Sequence, residues 1–414
     1  MNWSIKSALL LSALLCFCGC GGSTSSNQND GGAAGSVFAA SNENLYVFDR
    51  SSSDGSPTQR PDSPAKLGIQ PQLSVTKVLQ IQVDNQNQFI FTRYVQSDCC
   101  GAIFSAVYST RDSAGSVSAG IPFPAGPASP GAPQIFDGMG RFIYVANEYD
   151  SLDTGYECNA CTLGGYALDR SKGSLQPLPS PAPITGYGVG SDPAGRYLFV
   201  YHPSIELPVG SYGFHSLSID AGGLLTDIED TPAPFAVAFV QHPNAKFLYL
   251  VSQTGSSFGP GAQYQLWLYT IDLTSGRVTS SQQITQLPHQ PDFVIQPYIS
   301  PSGKWLLLTS CPVNDIDQNG FCYSIVWLEY SINADSGNVV PAQNFTAPEH
   351  LNFSPQLAFD QAGQFIYSVG SPTQDPTQSY LYGFSFDDQS GAVTELTGSP
   401  FFGPTELRAV AATH

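Results

Sequence analysis

The stretch "CPVNDIDQNGFC", residues 311–322, brackets a run of metal-ligating oxygen donors between two cysteines. Asp315, Asp317 and Asn319 alternate, and Gly320 follows, which is the oxygen-donor spacing that opens a calcium loop. The Phe321 carbonyl would fall at the seventh position, while Val326 replaces the usual glutamate at the twelfth. A structural Ca2+ on Asp315, Asp317 and Asn319 is therefore one expectation, with Asn314 or water completing the shell. The other is a plain hairpin turn, since Asp and Asn bond their own backbone and Gly accepts positive φ.

Cysteines frame the same question. Beyond the first twenty residues they are Cys99, Cys100, Cys158, Cys161, Cys311 and Cys322, an even number. Disulfides are expected if the chain leaves the cytoplasm, with Cys311–Cys322 stapling one hairpin. Cys158 and Cys161 can close on each other or bridge to Cys99 and Cys100, and those four thiols could instead hold zinc. Among the histidines, His242 reads as a turn residue and His215 as a strand residue. His202, His289 and His350 fall where strands end or links begin, together with Glu148, Glu157, Glu206 and Glu349. Arg93 is a candidate for an anionic ligand, although a surface role is the plainer expectation. No phosphate loop or H-E-x-x-H helix is present.

These residues are carried on short strands. The chain has 414 residues, of which 42% are hydrophobic and only 12% charged, with 40 Gly and 32 Pro. Such a composition favours many strands joined by tight turns. The net charge of −18 repels phosphate backbones, so nucleic acid is excluded as a partner.

One pattern recurs: a turn followed by a hydrophobic strand. It reads "DGMGRFIYVAN" (137–147), "DPAGRYLFVYH" (192–202), "HPNAKFLYLVS" (242–252), "SPSGKWLLLTS" (300–310) and "DQAGQFIYSVG" (360–370), with "DNQNQFIFTRY" (84–94) a weaker copy. Asn87, Gly140, Gly195, Ala245, Gly303 and Gly363 hold the same place, roughly every 55 residues. Each copy is followed by a further strand ending in an Asp/Asn-x-x-x-Gly turn, such as "LWLYTIDLTSGRV". Every unit thus has four strands, A to D. A seventh unit is split: "SVFAAS" and "NLYVFDR" supply its B and C strands, and "ELRAVAAT" (406–413) its A strand. The expected fold is all-β, a seven-bladed β-propeller closed by pairing of the C-terminal strand with the N-terminal ones. The B–C connections are long (roughly 94–102, 148–162, 203–210, 253–264, 311–323 and 371–379), and the cysteines fall in them.

The N-terminus reads as a targeting segment. Lys6 precedes an apolar run, Ala8–Phe17, too short to span a bilayer. Gly19-Cys20 resembles a lipobox, with Cys20 as the lipidated residue, and the alternative is an ordinary secretory signal cleaved nearby. Residues 1–20 are then a lipoprotein signal, 21–35 a Gly/Ser/Asn tether, and 36–414 the propeller. The location expected is the bacterial cell envelope, periplasmic or surface-exposed, with membrane contact through the lipid alone and the chain a monomer.

The repeated strand, the "y-x-id" turn and Gly398-Ser399-Pro400-Phe401 resemble the lactonase family of seven-bladed propellers, the 6-phosphogluconolactonase and muconate-lactonising types. The resemblance covers most of residues 76–414. It implies sugar-lactone hydrolysis, with a Pro-His-x-His element and a later Asp-x-Gly-x-Asp element. Pro288-His289 matches the start of the first, but Gln290-Pro291 departs from it. Cys311-Pro312 stands where the second is expected. His289 carries over, with Glu349 and Arg93 as its candidate catalytic companions. Two readings follow. The first is a module that binds a small-molecule or carbohydrate-like ligand, or a cell-envelope protein, through its loop-rich face. The alternative is a lactonase.

Overall fold

The computed structural model describes residues 35–69, 75–98, 101–123, 134–147, 162–179, 186–203, 212–254, 263–287, 293–311, 326–346, 356–370, 378–402 and 407–413. They form antiparallel sheets of four main strands, the seven blades of a β-propeller. Blades are numbered in chain order with the split one first. Blade 1 pairs Ala409–Ala412 with Ser36–Ala40, then Asn44–Arg50 and Pro57–Gln59. Val37 lies opposite Ala412 and Ala40 opposite Ala409, so the C-terminal strand is the first strand of the N-terminal blade, as the repeat required.

The chain divides into two compact units. One holds blades 3 to 5 (within Pro124–Gln290) with the turn Asn333–Val339. The other holds blades 1, 2 and 7 and the rest of blade 6. In the first, Ile135, Phe142 and Tyr144 of blade 3 pack on Leu198, Val200 and Leu217 of blade 4. In the second, Phe38, Leu45 and Val47 of blade 1 pack on Val78, Ile81 and Ile90 of blade 2.

The recurrent A–B turn has a physical cause. Its leading aspartate is buried and caps the backbone of the strand that follows. Asp84 Oδ1 accepts the Gln88 and Phe89 N–H groups, each at 2.7 Å. Asp360 Oδ1 does the same for Gln364 and Phe365 at 2.7 and 2.8 Å. In blade 5 His242 replaces the aspartate, and its Nδ1 accepts the Asn244 N–H at 3.1 Å. The fourth turn residue is left-handed, as at Gly140 (φ 64°) and Gly363 (φ 65°), but Asn87 and Ala245 also stand there at φ 57°.

A second device joins blades 3 to 7 each to the blade that follows. Within the first unit, Tyr144 Oη donates to the Gly223 carbonyl (2.9 Å) and Tyr249 Oη to Gly337 (2.7 Å). Within the second, Tyr367 Oη donates to Gly55 (2.6 Å). Each acceptor sits in the C–D turn of the following blade. Where Phe199 or Leu307 occupies the tyrosine position, the donor moves two residues back. Tyr197 Oη then donates to the Thr274 carbonyl (2.8 Å), and Trp305 Nε1 to Asp388 (3.0 Å). The aromatic residues of the repeat thus bury their rings and satisfy turn carbonyls together.

One expectation is corrected. The segment 94–102 was expected as a long B–C loop. Instead Phe89–Asp98 and Gly101–Thr110 stay paired up to Asp98 opposite Gly101. The β-branched and aromatic residues there, Val95, Ile103 and Phe104, continue the strands.

Candidate functional site

Blade 4 carries the group of donors that stands out among the described residues. His202 lies on Tyr197–Pro203, His215 on Tyr212–Ile219, and Asp227 and Asp230 on Leu225–Ala233. His202 is opposite Gly213, and His215 is opposite Asp230. A bulge between Ser216 and Leu217 then sets Asp227 opposite Leu217. In a regular strand, residues three apart face opposite sides. The extra residue turns both Asp227 and Asp230 to the face that His215 occupies. Glu229, opposite Ser216, leaves by the other face and meets Arg277 Nη1 at 3.1 Å.

His202 Nε2 lies 3.0 Å from Asp230 Oδ1, and its side chain is 3% exposed. His215 Nδ1 lies 3.3 Å from Asp227 Oδ1, without hydrogen-bond geometry. The two imidazole rings stack, with centroids 4.0 Å apart and planes at 24°. Burial, and then the neighbouring His202, push the His215 pKa below the ordinary histidine value. One ligand atom each from His202, His215 and Asp230 lies within 4.8 Å of the others. Two imidazole nitrogens with a carboxylate suit a borderline divalent metal.

Glu329 is the other unusual group. It lies on Val326–Ile332 of blade 6, is 4% exposed, and its Oε1 has no hydrogen-bond partner. Burial pushes its carboxyl up to about 7.

Of the residues singled out from sequence, His202 and His215 come together in blade 4, and no other joins them among the described residues. His289, Glu349, Asp315, Asp317, Asn319, Cys20, Cys99, Cys100, Cys158, Cys161 and Cys322 lie outside them, as do His350, Glu148, Glu157 and Glu206. Cys311 ends the strand Trp305–Cys311 opposite Phe293. No disulfide joins described residues. Arg93 is corrected from a surface residue to a buried one, 3% exposed, whose Nη1 donates to Gln80 Oε1 at 3.4 Å. It sits mid-strand between Thr92 and Tyr94, which are buried as well, so both faces of the strand are covered there.

Sequence reasoning assigned His215 to structure and passed over Asp227, Asp230 and Glu329. The signal available was "DIED" (227–230) on the strand after a histidine-bearing one. Its use required the bulge, which no sequence pattern announced.

No family model and no curated protein matches the chain. Solved structures do. A Bacteroides uniformis protein, provisionally described as a 6-phosphogluconolactonase, superposes with a TM-score of 0.60 at 12% identity, covering 92% of this chain and 99% of its own. A Lactobacillus plantarum protein superposes with a TM-score of 0.55 at 13% identity, with the same coverage of 92% and 99%. At such identities the likeness is one of fold: the chain is a seven-bladed β-propeller similar in architecture to lactonase-like proteins.

Proposed function

We propose that the chain is a lipid-anchored, extracytoplasmic propeller that binds a small, neutral, carbohydrate-like ligand through its B–C connections. The observation that carries this reading is the asymmetry of the blades. A–B turns, such as that from Phe136 to Phe142, are short, and four of them are pinned by a buried aspartate. At the opposite end the connections run from Asn147 to Thr162, Pro203 to Tyr212, Thr254 to Gln263, Cys311 to Val326 and Gly370 to Tyr380. Connecting adjacent antiparallel strands needs only about two to five residues, so the excess chain serves something other than the scaffold. The charge of −18 favours neutral ligands over anions.

The experiment is a thermal-shift and calorimetric screen of the mature chain against neutral sugars, sugar acids and aldonolactones. A neutral sugar should bind. Replacing residues 148–161 by an Asn-Gly turn should weaken that binding, while replacing residues 242–246 should not. Hydrolysis of an aldonolactone would instead establish the lactonase alternative, and no binding across the panel would remove the proposal. For the anchor, radiolabelled fatty acid should be incorporated into the wild-type chain and not into Cys20→Ser. Equal labelling of the two would place the lipid elsewhere.

A further inference from the structure

The geometry of blade 4 points to a binding site for one divalent transition-metal ion of the zinc class, held by His202, His215 and Asp230, with Asp227 in reach of a fourth position. The inference does not depend on the ligand-binding reading, because its readout is the ion itself.

Four observations carry it. First, the donor set is right. Two imidazole nitrogens and a carboxylate oxygen lie within 4.8 Å of one another, on three neighbouring strands. Zinc–nitrogen and zinc–oxygen bonds of about 2.0–2.2 Å need donors roughly 3.3 Å apart in a tetrahedron. The existing 3.0 Å separation of His202 Nε2 from Asp230 Oδ1 is already close to that, and the His215 nitrogen, within 4.8 Å of both, would turn inward on binding. Sites built on strands hold donors more firmly than loops do.

Second, the space among the donors is kept clear. Gly213 lies on the third strand between His202 and Asp230. A Cβ at this position would stand 2.4 Å from Asp230 Oδ1 and 2.9 Å from His202 Nε2. Any other residue would push these two donors apart. The backbone at 213 does not have positive φ, so its conformation gives no reason for glycine there.

Third, the bulge at Ser216/Leu217 brings two carboxylates to the histidine face, where a regular strand would bring one. Fourth, charge balance is incomplete. Among the described residues, Asp230 and Asp227 meet only the imidazoles of His202 and His215, and neither carboxylate meets a lysine or arginine. Glu229, on the opposite face of the same strand, is by contrast matched by Arg277. A divalent cation would neutralise both aspartates at once. Imidazole with carboxylate favours zinc, and cobalt as its spectroscopic substitute, over the all-oxygen shells of calcium and magnesium.

The test uses the untagged, mature chain, stripped with chelator. Titration with Co2+ should give visible d–d absorption saturating at one equivalent, and Zn2+ should displace it. His215→Asn and Asp230→Asn should each weaken Zn2+ binding by about 100-fold or more. Gly213→Ala should weaken it by about 10-fold although it removes no donor. X-ray absorption at the zinc edge of the wild-type chain decides the matter even if a variant fails to fold. A first shell of two imidazole nitrogens with oxygen supports the site. Sulfur in that shell would assign the ion to the cysteines and overturn it. So would the absence of any ion at about 100 µM free Zn2+, or affinities unchanged in His215→Asn and Asp230→Asn.

Discussion

Glu329 shows how a single side chain can set the pH response of a blade. Its carboxyl is 4% exposed and pushed up to about 7 by burial, against an ordinary value of 4.5. A carboxyl with a raised native pKa holds its proton more tightly when folded than when unfolded. Its contribution is therefore fully present below about 4.5 and is lost as pH rises through about 7. Glu329→Gln should remove this slope and raise stability at pH 8 by about 1–3 kcal/mol, with little change at pH 4.5. Urea midpoints of the two proteins at both pH values are the check, and parallel curves would show that the carboxylate is solvated after all. Tyr249 offers a second residue-scale measurement. Its hydroxyl donates to the buried Gly337 carbonyl at 2.7 Å. Tyr249→Phe keeps the ring but leaves that acceptor unpaired, and should lower stability by about 1–2 kcal/mol in the same denaturant assay. At this scale little was legible in the sequence. Glu329 looked like one strand residue among many, and the pairing of His215 with Asp230 needed both the strand register and the bulge. Side-chain convergence across strands is a tertiary property, whereas sequence patterns report what is local.

The repeat was legible at the level of the element because turn chemistry is local. The Asp-x-x-Gly turn and the Asp/Asn-x-x-x-Gly turn each need particular backbone angles, and the residue types announce them. Their second purpose was not visible. Gly337 has φ 73°, and a Cβ there would lie 2.8 Å from the Phe247 ring of the preceding blade. Gly337→Ala should therefore combine backbone strain with a displaced ring, lowering stability by about 2–3 kcal/mol. The converse change belongs to Ala245, which holds φ 57° where Gly140, Gly195, Gly303 and Gly363 stand in sister turns. Ala245→Gly should be neutral or stabilising by up to about 1 kcal/mol, since relief of the left-handed strain outweighs the extra freedom of the unfolded chain. Differential scanning calorimetry should show a lowered melting temperature for Gly337→Ala and no lowering for Ala245→Gly if the turn geometry governs both. A drop in melting temperature for Ala245→Gly comparable to that for Gly337→Ala would refute that account.

For the whole molecule, the split blade ties the two ends of the chain to one sheet. Ala409–Ala412 is buried between neighbours and pairs with Ser36–Ala40. The Thr413 N–H donates to the Ser36 carbonyl at 2.9 Å, and the Ser36 N–H donates to Thr413 Oγ1 at 2.9 Å. The two strand ends therefore meet much as they do at an A–B turn in the other blades, without a covalent link. This closure was legible because the repeat began with a B strand and ended with a spare A strand. The donor cluster of blade 4 was not, because the bulge that turns Asp227 and Asp230 to the histidine face has no sequence signature. Deleting residues 407–414 should expose the edge of Ser36–Ala40 and unseat Leu407 and Val410, both 3% exposed. A fall in melting temperature of roughly 10 °C or more, with higher-order species in size-exclusion chromatography, is expected. Deletion alone does not separate lost burial from lost connectivity, so a permuted chain completes the test. Residues 404–413 are moved ahead of Ser36 and joined to it by an Asp-x-x-Gly-x turn like those of the sister blades. If the blade is an ordinary four-stranded unit that happens to be cut between its first two strands, the permuted chain should melt within a few degrees of the wild type and remain a monomer. If instead it melts as low as the deletion, the N- and C-terminal strands depend on their free ends, and the equivalence of the seven blades fails at this one.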